Sequence, residues 1–262
     1  MLAAYAAAVE KAKVDGKPEP KKPEGPRNPF TDAYRPTGYY NSKIAPLAPY
    51  ALKGVLWYQG ESNSGHAREY LTLFSGLIKG WRDVWGQELP FLFVQLPDYR
   101  GTPPEMREIQ QRVAREVPKT AMVVTIDAGD PQDIHPPDKE PVGKRLAVAA
   151  RAFVYGEKIE GSGPVFDEAE IEGGRAVLRF THVGGGLVAK AGGAALTGFV
   201  VTTDKKTFVP AKAEIVDETI VVTSESGAEI KAVRYGWENA PVASLYNKEG
   251  LPASPFRTDE PK

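Results

Sequence analysis

Between residues 54 and 155 three short apolar runs alternate with three segments of helical spacing, and this alternation restricts the fold more than any other feature. The runs at 54–58, 91–96 and 121–126 are short, apolar and bounded by polar or turn-forming residues, as buried strands are. Residues 68–85 place Tyr70, Leu71, Phe74, Leu77, Ile78, Trp81 and Trp85 at three-to-four spacing, which predicts an amphipathic helix. A second helix is expected over 104–116, with Met106, Ile109 and Val113 on one face. A third is expected over 142–155, with Leu146, Ala149, Ala150 and Phe153 facing inward. The order β-α-β-α-β-α fits an α/β fold with a parallel sheet and right-handed crossovers. Upstream, residues 2–14 are Ala-rich and helical in propensity. Residues 17–29 are rich in Pro and Lys and read as an extended crossing, and 47–52 as a short turn or helix.

The pattern changes near residue 157. Helical spacing disappears, and short β-branched runs at 176–180, 198–202, 213–216, 219–223 and 232–234 alternate with glycine-marked turns. That is the signature of a small antiparallel β-domain. The organisation expected is therefore an α/β domain over 1–158, a β-domain over 159–235, and a segment over 236–262 that packs back on the α/β domain.

A hydrophobic content of 42% supports a packed core. A net charge of −1 implies no basic face, which argues against nucleic acid or an anionic membrane as partner. No apolar run approaches the length of about 18 residues that would cross a bilayer. There are no cysteines, which removes disulfides, thiolate metal sites and a cysteine nucleophile. The three histidines show no metal-ligand spacing, so neither a metal nor another cofactor is expected.

Ligands of open α/β sheets bind at the carboxyl ends of the strands. There the first run ends in Gln59-Gly60-Glu61-Ser62-Asn63, an amide, carboxylate and hydroxyl cluster suited to hydrolysing a small polar ester. Gln59 and Asn63 are candidate donors to a developing oxyanion. Ser62 imitates a nucleophile elbow, but Ser64 stands where G-x-S-x-G requires its second glycine, so capping the helix or lining the site is the favoured role. His135 follows the third run and is a candidate general base, with Asp133, Asp130 and Glu61 as carboxylates to orient it. Trp237 is a candidate for stacking on a sugar ring.

Several segments together resemble the sialate O-acetylesterase family, a branch of the SGNH-type carbohydrate esterases. They are Arg35-Pro36-Thr37-Gly38-Tyr39-Tyr40-Asn41, Trp57-Tyr58-Gln59-Gly60-Glu61-Ser62-Asn63, Phe91-Leu92-Phe93-Val94-Gln95-Leu96, Gly129-Asp130-Pro131 with Asp133-Ile134-His135-Pro136, and the stretch from Leu245 to Arg257. The resemblance implies a three-layer α/β/α flavodoxin-like domain with an added β-region, and removal of acetyl groups from sugars through a serine acetyl-enzyme. It implies that His135 is the base, with Asp133, Asp130 or Glu61 as the carboxylate that orients it, that Glu61 supports the site, and that Gln59 with Gly60 and Asn63 binds substrate and oxyanion; the position three before the histidine, where many such enzymes carry the aspartate, is Gln132. The family's Gly-Gln-Ser-Asn-type nucleophile block is absent from this sequence. The resemblance therefore places the chain as a C-terminal portion with an N-terminally incomplete sheet, associating with the missing N-terminal segment or with itself, and suggests a bacterial periplasmic or secreted setting. Two alternatives are a self-sufficient esterase using Ser62 and a non-catalytic carbohydrate-binding fragment.

Overall fold

The structure, a computed structural model, describes residues 2–22, 37–190 and 196–259. The expected crossing beyond residue 22, Arg35 and Pro36 of the quoted motif, and the Gly192-Gly193 pair lie outside the described residues. The chain divides into two compact units, 1–51 and 52–262. The first unit contains helix α1 (Leu2–Val14), as the Ala-rich stretch predicts, and short helical turns at Tyr40–Ile44 and Ala45–Leu47.

The second unit carries the parallel sheet. Strands β1 (Val55–Trp57), β2 (Phe91–Val94) and β3 (Thr120–Val123) lie in the order β1-β2-β3, with Val55 beside Phe91 and Phe91 beside Thr120. Helices α2 (Ala67–Trp85) and α3 (Pro104–Glu116) connect them and cover one face. The core there combines Tyr70, Phe74 and Ile78 of α2 with Met106, Ile109 and Val113 of α3, over Phe91 and Phe93. Trp57 stacks on Phe74 at 5.6 Å and meets Trp81 edge-on at 6.0 Å, so the apolar stripe of α2 is an aromatic one. Gly86 ends α2 in the left-handed conformation, as a glycine C-cap does. Helix α4 (Glu140–Ala149), extended by a π-helical turn at Ala150–Val154, packs on the opposite face against Leu92, Val94, Ala121 and Val123. Because both faces of β2 and β3 are covered, these strands are apolar at nearly every position, not at every second one. The three-layer α/β/α arrangement expected from the resemblance is therefore present.

Antiparallel sheets follow. Strands β4 (Val165–Glu172), β5 (Arg175–Thr181), β9 (Lys212–Val216) and β10 (Thr219–Thr223) form one sheet, in the order β4-β5-β10-β9. Strands β7 (Phe199–Thr202), β8 (Val209–Pro210), β11 (Ala232–Tyr235) and β13 (Phe256–Arg257) form a second, in the order β13-β11-β7-β8. Leu178, Ile220 and Val222 of the first sheet share one core with Phe199, Val201, Val233 and Phe256 of the second, which makes the pair a sandwich. Strands β6 (Leu187–Ala189) and β12 (Leu245–Asn247) pair separately.

The segment beyond Tyr235 is tied into both regions. Tyr246 donates its hydroxyl to Asp127, Gln95 donates to the Ser254 hydroxyl, and Arg257 forms a bidentate ion pair with Glu108. Residues 251–256 are buried throughout.

Candidate active site

All three strands of the parallel sheet run the same way, so the loops after β1, β2 and β3 emerge at one rim. The Gln59–Asn63 cluster follows β1 by two residues, and the loop bearing His135 follows β3.

Gly60 forms the first turn of the rim. Its φ of +149° lies where residues with a side chain are rarely found. A Cβ placed there would stand 2.7 Å from Met106 Cε and 3.3 Å from Leu96 Cδ1. Gly60→Ala is expected to destabilise the chain by about 2 kcal/mol, read by denaturant unfolding. The same variant should displace Gln59 and Glu61.

The Gln59 side chain is held from two sides. Its Nε2 donates to Asn63 Oδ1 at 2.9 Å, and its Oε1 accepts from the Tyr70 hydroxyl at 3.3 Å. Tyr70 also reaches the Gln59 carbonyl at 2.9 Å and accepts from Trp57 Nε1 at 3.3 Å. One Nε2 hydrogen is used on Asn63, and a primary amide has a second to offer. Burial and the neighbouring Glu61 push the Tyr58 hydroxyl up to about 12, and burial does the same for Tyr70, so both remain neutral donors at physiological pH. Tyr70 belongs to the helical stripe and carries no separate sequence signal. Only the fold reveals that its hydroxyl braces the rim.

Ser62 is exposed, in a 3-10 turn, Glu61–His66, that separates β1 from α2. It does not cap α2, whose N-cap position is His66 and has no side-chain capping bond. Of the two expected roles, capping the helix is therefore excluded, because α2 begins at Ala67, five residues beyond Ser62. Ser64, in the same turn, is buried, and its hydroxyl has no hydrogen-bond partner among the described residues.

His135 is exposed on its loop, with 89% of its side chain accessible. Asp133 Oδ1 accepts the His135 backbone N–H at 2.9 Å and lies 3.7 Å from its Nδ1. Asp130 instead accepts from the backbone of Gln132. Among the described residues no hydrogen bond or ion pair joins Glu61 to His135. The two loops share the rim without touching through these side chains.

The His135 loop is anchored from below. Gly129 donates its N–H to Asp98 Oδ1 at 2.8 Å, and any Cβ on Gly129 would fall 2.3 Å from the Asp98 carbonyl. Burial pushes the Asp98 carboxyl up, opposed by the Gly129 hydrogen bond. Arg100 reaches Gln132 Oε1 at 2.8 Å. At the loop's start Asp127 takes a bidentate pair from Arg145, at 2.6 and 2.8 Å, and the Tyr246 hydroxyl at 2.8 Å. Burial raises the Asp127 carboxyl, but Arg145 and Tyr246 outweigh it and hold it below the ordinary carboxylate range. A group depressed in this way stabilises the fold above its unfolded pKa, and the contribution fades as pH falls through the folded value. Asp127→Asn is expected to destabilise the chain by about 2 kcal/mol at neutral pH and to remove part of the acid-induced loss below roughly pH 4. Denaturation followed as a function of pH measures both.

Trp237 is half-buried, with the Arg257 guanidinium 4.7 Å over its ring, so one aromatic face is already covered. Among the described residues no cluster of His, Asp and Glu is placed to hold a metal.

Comparison with known proteins agrees with the fold. The family profile described as carbohydrate esterase, sialic acid-specific acetylesterase matches residues 34–152. The chain is 31% identical to the sialate O-acetylesterase of Rattus norvegicus over 249 residues, which cover 83% of this chain and 46% of that protein. It is 30% identical to the sialate O-acetylesterase of Homo sapiens over 270 residues, which cover 90% of this chain and 51% of that protein. A solved carbohydrate acetylesterase from Xanthomonas citri superposes with a TM-score of 0.79 at 43% identity, covering 84% of this chain and 53% of that one. The chain thus spans about half the length of these relatives. The parallel sheet between helical layers, together with the likeness to the Xanthomonas citri structure, defines the fold class as that of the SGNH-type carbohydrate esterases. Within that class the chain belongs to the sialate O-acetylesterase family.

Proposed function

We propose that the chain is the base-bearing and oxyanion-bearing portion of a carbohydrate O-acetylesterase that acts on acetylated glycans. The observation that carries this reading is the common rim of β1 and β3. The loops that bear the braced Gln59 amide and His135 both leave the sheet at that rim, with β2 between their strands.

In this mechanism a serine hydroxyl attacks the acetyl carbonyl and gives its proton to His135. Negative charge gathers on the carbonyl oxygen, where the second Gln59 Nε2 hydrogen receives it, a contribution of about 3 kcal/mol for one such donor. The tetrahedral species collapses, and the sugar oxygen leaves with the proton from His135. Water, deprotonated by His135, then releases acetate and restores the serine. Asp133 orients the imidazole, and Glu61 and Asn63 complete the polar rim around Gly60. The serine comes from the part of a relative-length protein that this chain does not span.

That part also suits β1. Among the described residues β1 pairs only with β2, and Leu56 is 64% exposed although its register partner Leu92 is buried under α4. An apolar edge strand with an uncovered face accepts a further strand and a covering helix. Functionally we divide the chain into 1–158 carrying the rim, 159–235 forming the sandwich and 236–262 clasping the two.

A test separates this reading from one in which Ser62 is the nucleophile. In enzyme assembled from this chain and the complementary portion, Ser62→Ala should hydrolyse p-nitrophenyl acetate within about twofold of the parent rate. Loss of turnover on that substitution would overturn the assignment in favour of Ser62.

A further inference from the structure

The chain as a whole is nearly neutral, at −1, yet one groove is strongly asymmetric in charge. It has a volume of about 1070 Å³ and runs from the first turns of α2 and α3 along α3 to strands β7, β11 and β13 of the sandwich. Seven cationic side chains line it, against three carboxylates. Arg68 and Glu105 mark the end nearest the rim, since both stand in the first turn of a helix that follows a strand.

Six of the cations fall into two kinds. Arg257, Arg234, Lys231 and Arg112 are held by Glu108, Asp259, Glu229 and Glu116, respectively. Lys205 and Lys206 are exposed on the turn between β7 and β8 and form no ion pair among the described residues. That turn is well fixed. Asp204 Oδ1 accepts from the backbone of Lys206 and Thr207 at 2.8 Å each and from the Thr202 hydroxyl at 2.9 Å. Two ammonium groups with no ion pair among the described residues are thus presented on a braced loop that lines the groove. The Arg234 guanidinium covers the Phe208 ring at 3.8 Å.

We propose that this groove binds a carboxylate-bearing glycan chain, the stretch of substrate that flanks the acetylated sugar. The word substrate rests on the esterase reading above, whereas the binding itself does not. Ammonium groups attract the carboxylates of such a chain. Glu105 and Glu108 accept hydrogen bonds from sugar hydroxyls but repel a continuous run of phosphates. A nucleic acid satisfies the lysines alone, so the mixed lining favours the acidic glycan.

Calorimetric titration of the full chain with hexagalacturonate, xylohexaose and a single-stranded hexadeoxynucleotide tests the proposal. Saturable binding of hexagalacturonate that weakens as salt rises is expected, with no binding of the neutral xylohexaose. Lys205→Glu with Lys206→Glu should weaken it by about tenfold or more, and Lys205→Ala with Lys206→Ala by a smaller factor, with unchanged circular dichroism in both. The proposal is overturned by absence of hexagalacturonate binding at low salt, by equal binding to the lysine variants, or by a hexadeoxynucleotide that binds as tightly. Hexagalacturonate carries no acetyl ester, so a chain that binds it without participating in acetate release would sink the esterase reading and leave the groove assignment standing. Acetate release without hexagalacturonate binding would do the reverse.

Discussion

Arg107→Met is expected to lower the stability of the chain by about 4 kcal/mol, because four carbonyls, two of them buried, lose a charged donor at once. Arg107 is fully buried in α3. Its guanidinium donates to the carbonyls of Leu96, Pro97, Glu238 and Asn239 at 2.6–2.9 Å. Burial lowers its pKa to about 10, with nearby Asp98 opposing the shift, so the side chain remains charged at neutral pH. The four acceptors belong to two segments: the loop after β2 and the start of the tail after β11. A thioether fills part of the volume but donates nothing. For a chain of this size the loss corresponds to roughly 10 °C in melting temperature. Thermal unfolding followed by circular dichroism reads the shift, and a change of less than about 1 kcal/mol would contradict the role given to Arg107. Lysine is not an adequate replacement, since a single ammonium cannot span acceptors arranged around a planar fork.

His135→Ala is expected to reduce ester hydrolysis by about 10²–10⁴-fold in enzyme assembled with the complementary portion. Removing the imidazole leaves no group to take the serine proton or to return it to the departing sugar oxygen. The side chain is highly exposed and makes no core contact, so the loss should appear in kcat/KM without a change in unfolding midpoint. Added imidazole should restore part of the rate, which a structural defect would not allow. Asp133→Asn should be milder, near tenfold, because Asp133 Oδ1 stands 3.7 Å from Nδ1 and its short hydrogen bond is to the backbone. Parent-like turnover by His135→Ala would remove His135 from the mechanism.

Much of the α/β region was legible because its signals are local and periodic. Residues 104–116 and 2–14 match α3 and α1 residue for residue, and 68–85 misses only the first residue of α2. The expected strands run past the ladders, since residues such as Gln95, Leu96 and Thr125 are buried but serve the rim loops. Strand β4 was missed for a physical reason. Val165–Glu172 alternates apolar and acidic side chains with a bulge after Phe166, and its acids lie on the solvent face. Strands β12 and β13 have only three and two residues and depend on partners far away in the chain, so no local pattern announces them.

The site shows the same division. The polar cluster after β1 and the histidine after β3 were visible because chemistry-bearing residues interrupt apolar runs. The groups that position them were not visible. Tyr70 and Arg107 sit in helical stripes, Asp98 in an ordinary turn, and Tyr246 in an aperiodic tail. The basic groove was hidden for another reason: a balanced total charge conceals cations gathered from α2, α3, the turn between β7 and β8, and the β11 and β13 region of the sandwich.

The most direct test of the account is acetate released from an acetylated glycan by this chain, first alone and then with the complementary portion of a relative-length protein. The account predicts almost no acetate from the isolated chain and sustained release from the assembled pair, dependent on Gln59 and His135. Sustained release by the isolated chain, or release from the pair that survives loss of both residues, would contradict it.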